Sequence, residues 1–132
     1  MGRTLVGRTL VGRTLVGCTL VVRALVKRVA RGWCYAVAGD SMRPTLGPGD
    51  VVAVRKRGRA PRVGDVVVVR DPERSGKVLV KRVRSLGRTT VAVGSDDPAA
   101  GRDSRHFGSV PRSAILGRVV VVLSRDGRLR CV

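Results

Sequence analysis

The sequence predicts a mostly-β fold, a small domain of antiparallel strands preceded by a short N-terminal helix. Three observations carry this. Hydrophobic residues make up 43% of the 132-residue chain, yet only 2% are aromatic, so the apolar content is mainly Val, Leu and Ala. Val dominates the central region in short runs, and β-branched side chains pack well on a pleated surface. Seventeen glycines, with Pro and Asp, punctuate those runs. Such spacing suits a β-sandwich or a small barrel-like sheet, and the length fits one domain.

The N-terminus repeats itself: GRTLV three times, then GCTLV, up to Val21. A five-residue period places Leu5, Leu10, Leu15 and Leu20 around a helix axis, or on alternate faces of a strand. No consistent apolar face results, and residues 1–21 read as a low-complexity extension. Residues 22–34 read as a basic helix, with Arg23, Lys27 and Arg31 on one face and Val22, Leu25 and Val29 on another. Such a helix suits either an anionic membrane surface or ordinary solvent exposure. No run approaches the ~20 apolar residues needed to span a bilayer, and no clean apolar stretch marks a signal peptide. A membrane-associated or plainly cytoplasmic location is therefore expected.

From residue 35 onward the pattern becomes strand-like. VVAV (51–54), DVVVVR (65–70), KVLVKRV (77–83), TTVAV (89–93) and ILGRVVVVL (115–123) read as strands. Between the last two lies a long polar loop, GSDDPAAGRDSRHFGSVP.

The net charge of +18 makes acidic partners attractive, anionic lipid among them. No aromatic interleaving for base stacking and no helix-turn-helix or zinc-finger pattern is present, so no specific nucleic acid is expected. Cys18, Cys34 and Cys131 are widely spaced, and the single histidine cannot complete a metal site with them. No disulfide framework, metal or cofactor is expected.

The stretch GDSMRPTLGPGD, Gly39 to Asp50, holds three turn-forming elements and therefore builds a loop of fixed shape around Ser41. A serine is a weak nucleophile until a base takes its proton. Two bases are available. His106, with an Asp, would make a triad, although a lone histidine in an Arg-rich loop is an exposed side chain by default. Lys81 alternates with Leu79 and Val83 on one strand face. If that face is core, desolvation disfavours the ammonium and makes the lysine a base at neutral pH; on an edge strand it would reach water. Asp103 and Arg105 can pair across a tight turn and brace the polar loop.

GDSMRPTLGPGD resembles the nucleophile box of type I signal peptidases, the Ser/Lys-dyad leader peptidases. Further boxes follow in that family's order: GDVVVV (64–69) resembles its second strand, VKRV (80–83) its lysine box, and DSRHFGSVP (103–111) its final box. The resemblance runs from about Ala36 to Val122. It implies a serine endopeptidase that removes an N-terminal leader or signal peptide from a precursor protein. It implies Ser41 as nucleophile, Lys81 as general base, Met42 beside the substrate pocket, and Gly39 at the oxyanion side. It also implies an extended substrate paired with strand edges. A shorter branch of the family matures nickel-type superoxide dismutase, and a short chain suits that role too. Departures are visible. RSLGRTT replaces the turn that follows the lysine box, and Gly94-Ser95-Asp96 stands for Gly-Asp-Asn. Gly101 occupies the place of the serine that orients the lysine. The resemblance thus leaves Lys81 to be positioned by another group, such as water. Gly101 also keeps open a different class of function, a catalytically inactive basic binding module on the same fold.

Overall fold

The computed structural model describes the strand Leu5–Val6 and residues 33–132. The expected low-complexity extension lies outside the described residues except for Leu5–Val6. The expected basic helix also lies outside them, except for Trp33 and Cys34, which open a strand. Nine strands follow in order: β1 (Leu5–Val6), β2 (Trp33–Val37), β3 (Val51–Arg55), β4 (Val66–Arg70), β5 (Val78–Leu86), β6 (Thr90–Gly94), β7 (Val110–Pro111), β8 (Ile115–Leu123) and β9 (Leu129–Cys131). A four-residue helix, α1 (Ser104–Phe107), sits between β6 and β7.

All nine strands form one sheet, in the order β1-β2-β3-β8-β4-β5-β6-β7, with β9 also on β8. Every pairing is antiparallel. The fold is therefore a single curled sheet, where a two-sheet sandwich was also open from sequence. The long strands make the curl. One edge of β8 pairs with β3, while its other edge takes β4 and then β9. β5 pairs with β4 through its first half and with β6 through its second. Register shifts fall between Ala53 and Val54, Val68 and Val69, and Val83 and Ser85. Such bulges bend strands and increase local twist.

Curling gives the sheet apolar packing on both faces. Val66 and Val68 join one cluster with Tyr35, Met42, Leu46, Val52, Val54 and Val122. Val67 and Val69 join another with Val83, Val91, Val93 and Val110. This is why β4 reads as an unbroken valine run instead of an alternation: each of its valines is buried, on one side or the other. Burying such a side chain contributes about 1.5–3 kcal/mol.

Gly117 shows how tightly the centre is packed. A Cβ there would lie 2.5 Å from Val54 Cγ1 and 2.8 Å from the Arg55 carbonyl oxygen. Gly117→Ala is expected to lower stability by about 1–3 kcal/mol through overpacking, visible as a Tm loss of several degrees. An unchanged unfolding midpoint would mean that β3 and β8 do not approach this closely.

Candidate active site

The loop bearing Ser41 is closed at its base by β2. The Val37 amide donates to the Asp50 carbonyl at 2.8 Å, and the Gly49 amide to the Val37 carbonyl at 3.0 Å. Asp50 is buried, and its carboxylate accepts from the amides of Gly47 (2.9 Å) and Arg125 (3.0 Å). Gly39 and Gly49 have φ of +100° and +88°, backbone that favours glycine. A helical turn follows the serine, with the Leu46 amide donating to the Met42 carbonyl at 2.8 Å. The Pro and Gly positions of GDSMRPTLGPGD thus serve one closed loop. Ser41 is buried within it, and Met42 and Leu46 anchor it in the first apolar cluster. Met42 is 1% exposed, and its side chain packs in the first apolar cluster.

Lys81 lies on β5, opposite Val67 of β4, and is 0% exposed. The strand is interior at this point, so the solvent-exposed alternative left open by the sequence does not hold. Its Nζ donates to Ser95 Oγ at 2.9 Å. Ser95 follows β6 directly and is itself buried. Two residues later, the Asp97 amide donates to the Ser41 carbonyl at 2.8 Å. The short segment from Gly94 to Asp97 therefore holds the serine loop and the lysine strand together.

A second tie runs beside the first, through Arg82 and Asp96, the chain neighbours of Lys81 and Ser95, and Thr45 of the serine loop. Arg82 donates to Asp96 from Nε and Nη2, both at 2.7 Å, and Thr45 Oγ1 donates to the same carboxylate at 2.6 Å. Arg82 Nη2 also reaches Thr45 Oγ1 at 3.2 Å. Burial by itself would raise the Asp96 pKa, but the bonds from Arg82 and Thr45 outweigh it and hold the carboxyl below its ordinary value. A bidentate arginine–carboxylate pair fixes both partners in one plane. Arg82, Asp96, Thr45 and Ser95 were all missed as site residues in sequence. The only signals were the arginine next to Lys81 and the altered Gly94-Ser95-Asp96 triplet.

Asp103 and Arg105 meet, with Arg105 Nε 2.9 Å from Asp103 Oδ1. Asp103 also caps α1, accepting from the Arg105 amide at 2.9 Å, and accepts from the Ser95 amide at 3.0 Å through its other oxygen. The last bond links the polar loop to the group that contacts Lys81. His106 is exposed. Its Nδ1 accepts from the Asp103 amide at 3.2 Å, completing a capping box. The histidine is thus engaged with α1. Beside this loop lies a cavity of about 470 Å³, lined in part by Arg84, Ser95, Asp103 and Arg105. Among the described residues, no group of acidic, histidine or cysteine side chains could hold a metal ion.

Burial is the largest influence on Asp103 and pushes its pKa up, yet Arg105 and the two amides overcome it and hold the carboxyl at about 2. A carboxyl depressed in the folded state contributes stability above its unfolded pKa and loses it as pH falls through the folded value. Stability is therefore expected to fall between about pH 4 and pH 2, and Asp103→Asn should make that fall shallower. Urea unfolding across this range checks it. Equal slopes in both proteins would show that Asp103 is not held as described.

Residues 9–98 match the family described as signal peptidase, peptidase S26. The chain is also similar to the mitochondrial ATP-independent inner membrane protease subunit 1b of Arabidopsis thaliana. The two are 34% identical over 108 residues, covering 62% of this chain and 64% of the relative. The chain thus spans somewhat less than two thirds of that relative's length. With the family match extending from the N-terminal repeat through the serine loop and the lysine strand to Pro98, this chain belongs to the signal peptidase S26 family.

Proposed function

We propose that the chain is a serine endopeptidase that uses Ser41 and Lys81 to remove an N-terminal leader from a precursor protein. The observation that carries this reading is the buried Lys81, bonded to Ser95 and tied through Asp97 to the serine loop. A lysine costs free energy to bury, and surroundings without water favour the uncharged amine. The neutral amine takes the proton from Ser41 Oγ as the oxygen attacks the scissile carbonyl carbon. The resulting ammonium returns the proton to the leaving amine, and an acyl ester on Ser41 remains. Water then attacks the ester, giving its proton to Lys81, which passes it to Ser41 Oγ as the leader leaves as a free acid. The Ser41 amide is the backbone donor for the developing oxyanion.

Ser95 is the positioning residue in this scheme. It supplies a hydroxyl to the lysine where Gly101 supplies none. That favours the enzyme over the inactive binding module, whose sequence support was Gly101. The protease in the name of the plant relative agrees with a proteolytic role. A leader on a precursor is the substrate class, and maturation of nickel-type superoxide dismutase is one form that the same activity could take.

The test is cleavage of a leader peptide with small residues before the cut. Ser41→Ala, Lys81→Ala and Lys81→Arg are expected to abolish turnover, since alanine has no base and arginine does not deprotonate. The Ser41/Lys81 double variant should be hardly worse than either single one, because the two act as a unit. Activity should fall as pH drops, because protonation removes the base. His106→Ala should stay near wild type. Ser95→Ala is expected to lower kcat about 10–100-fold, within the range that general-base catalysis supplies, with KM nearly unchanged. Ser95→Thr should recover part of the loss. Full activity in Lys81→Arg with loss in His106→Ala would overturn the dyad. A wild-type protein inactive on every such peptide would favour the binding module.

A further inference from the structure

Away from the serine loop, the chain after β3 and the start of β8 enclose a cleft of about 140 Å³. Six cationic side chains line it: Arg55, Lys56, Arg57, Arg59, Arg112 and Arg118. One carboxylate, Asp65, is bonded to this set. It pairs with Arg59 through two bonds of 2.8 Å, and the Arg118 charge acts on it as well. One acid against the five arginines leaves a strongly positive concavity. Arg55, Arg57 and Arg118 make no hydrogen bond through their side chains to the described residues. Arg112 is held in place by the Gly87 carbonyl, which accepts from its Nε at 3.0 Å and from its Nη2 at 2.6 Å.

The register supplies a second, independent observation. Arg55 of β3 lies directly opposite Arg118 of β8. Like charges facing each other across a strand pair are destabilising, and here the strands are drawn close by Gly117, which also lines the cleft. An anion between the two side chains would relieve this repulsion. The cleft suits one compact polyoxygen group, because arginine forks match phosphate geometry. It offers no aromatic face on which a base could stack.

We infer that this cleft binds a phosphate group, supplied by the headgroup of an anionic lipid. Its placement makes the contact useful to the proposed peptidase. Lys81 faces Val67, Val67 faces Arg118, and Arg118 faces Arg55, a single row across four strands. At a strand spacing of ~4.8 Å, the cleft begins roughly 10 Å from the proposed base. A headgroup held there would set the cleavage site at the height of the membrane surface, where a leader emerges. The binding site itself does not depend on the peptidase reading, and its test is separate from cleavage.

The experiment uses the full chain and sedimentation with vesicles, either of phosphatidylcholine alone or with phosphatidylglycerol added. The triple variant Arg55→Gln/Arg57→Gln/Arg118→Gln is compared with Arg70→Gln/Arg88→Gln/Arg128→Gln, which removes the same charge from exposed positions elsewhere. The first is expected to lose affinity for the anionic vesicles by about tenfold or more, the second much less, with circular dichroism and soluble-peptide cleavage unchanged in both. Equal losses would show diffuse surface charge and no site. Titration with inorganic phosphate, followed by arginine side-chain NMR signals, separates the two sources. Shifts at the cleft without vesicle binding would keep the site and overturn the lipid. A single-stranded oligonucleotide bound more tightly than the vesicles, and lost in the first variant, would replace the lipid with nucleic acid.

Discussion

A lysine with no exposure to water is the constraint on which the rest of the site depends. Placing an ammonium group inside a valine sheet is unfavourable unless a polar partner meets it or the amine gives up its proton. The fold meets this demand with Ser95, positioned by three neighbours along one segment. Asp103 accepts from the Ser95 amide, Asp96 is clamped by Arg82, and Asp97 bonds the serine loop. Arg82 is the chain neighbour of Lys81, and the Asp97 amide meets the carbonyl of Ser41 itself. The relation of the serine loop to the lysine strand is therefore carried by the short segment Gly94 to Asp97.

That segment explains how the family pattern tolerates a change at Gly101. In the proposed dyad the lysine is oriented by a hydroxyl at hydrogen-bond distance, and here Ser95 provides one. With Ser95 placed at the end of β6, directly across the sheet from β5, the requirement is met from the strand side. Position 101 is then released to be glycine, where the backbone runs extended between a 3-10 turn and the α1 cap. The residue standing where Gly-Asp-Asn would have Asp is the one that contacts the lysine. On the proposed reading, the hydroxyl missing at position 101 is supplied from position 95.

Sequence made the strands legible because valine runs state their own preference locally. DVVVVR, KVLVKRV and ILGRVVVVL all became strands at nearly the expected bounds. β2, WCYAV, carried no such run, and β7 and β9 are too short to show a period. The choice between one curled sheet and two packed sheets was not legible, since it depends on non-local pairing and on bulges. Ser41 and Lys81 stood out through turn chemistry and alternation. Whether Lys81 was buried did not, because a lysine flanked by Leu79 and Val83 reads alike on an edge and an interior strand. The supporting network of Arg82, Asp96 and Thr45 joins residues up to 51 positions apart. No local pattern encodes such a network.

The charge balance follows from the same arrangement. The chain has 27 basic and 9 acidic residues, so most cations have no carboxylate to meet. The acids are placed where geometry matters. Asp96 and Asp103 pair with arginines around the site, Asp71 with Arg102, and Asp50 and Asp97 hold backbone amides of the loops on either side. Asp65 is bonded to Arg59 of the cleft between β3 and β8. With so few carboxylates, every one engaged in bracing the site is unavailable to neutralise that cleft. The structure thus concentrates order at one end of the row from Lys81 to Arg55 and unneutralised positive charge at the other. Arg55 and Arg118 face each other on paired strands next to the Gly117 contact, so the backbone positions of these two charges are fixed. The row from Lys81 to Arg55 thus joins the buried site and the positive cleft within one stretch of sheet.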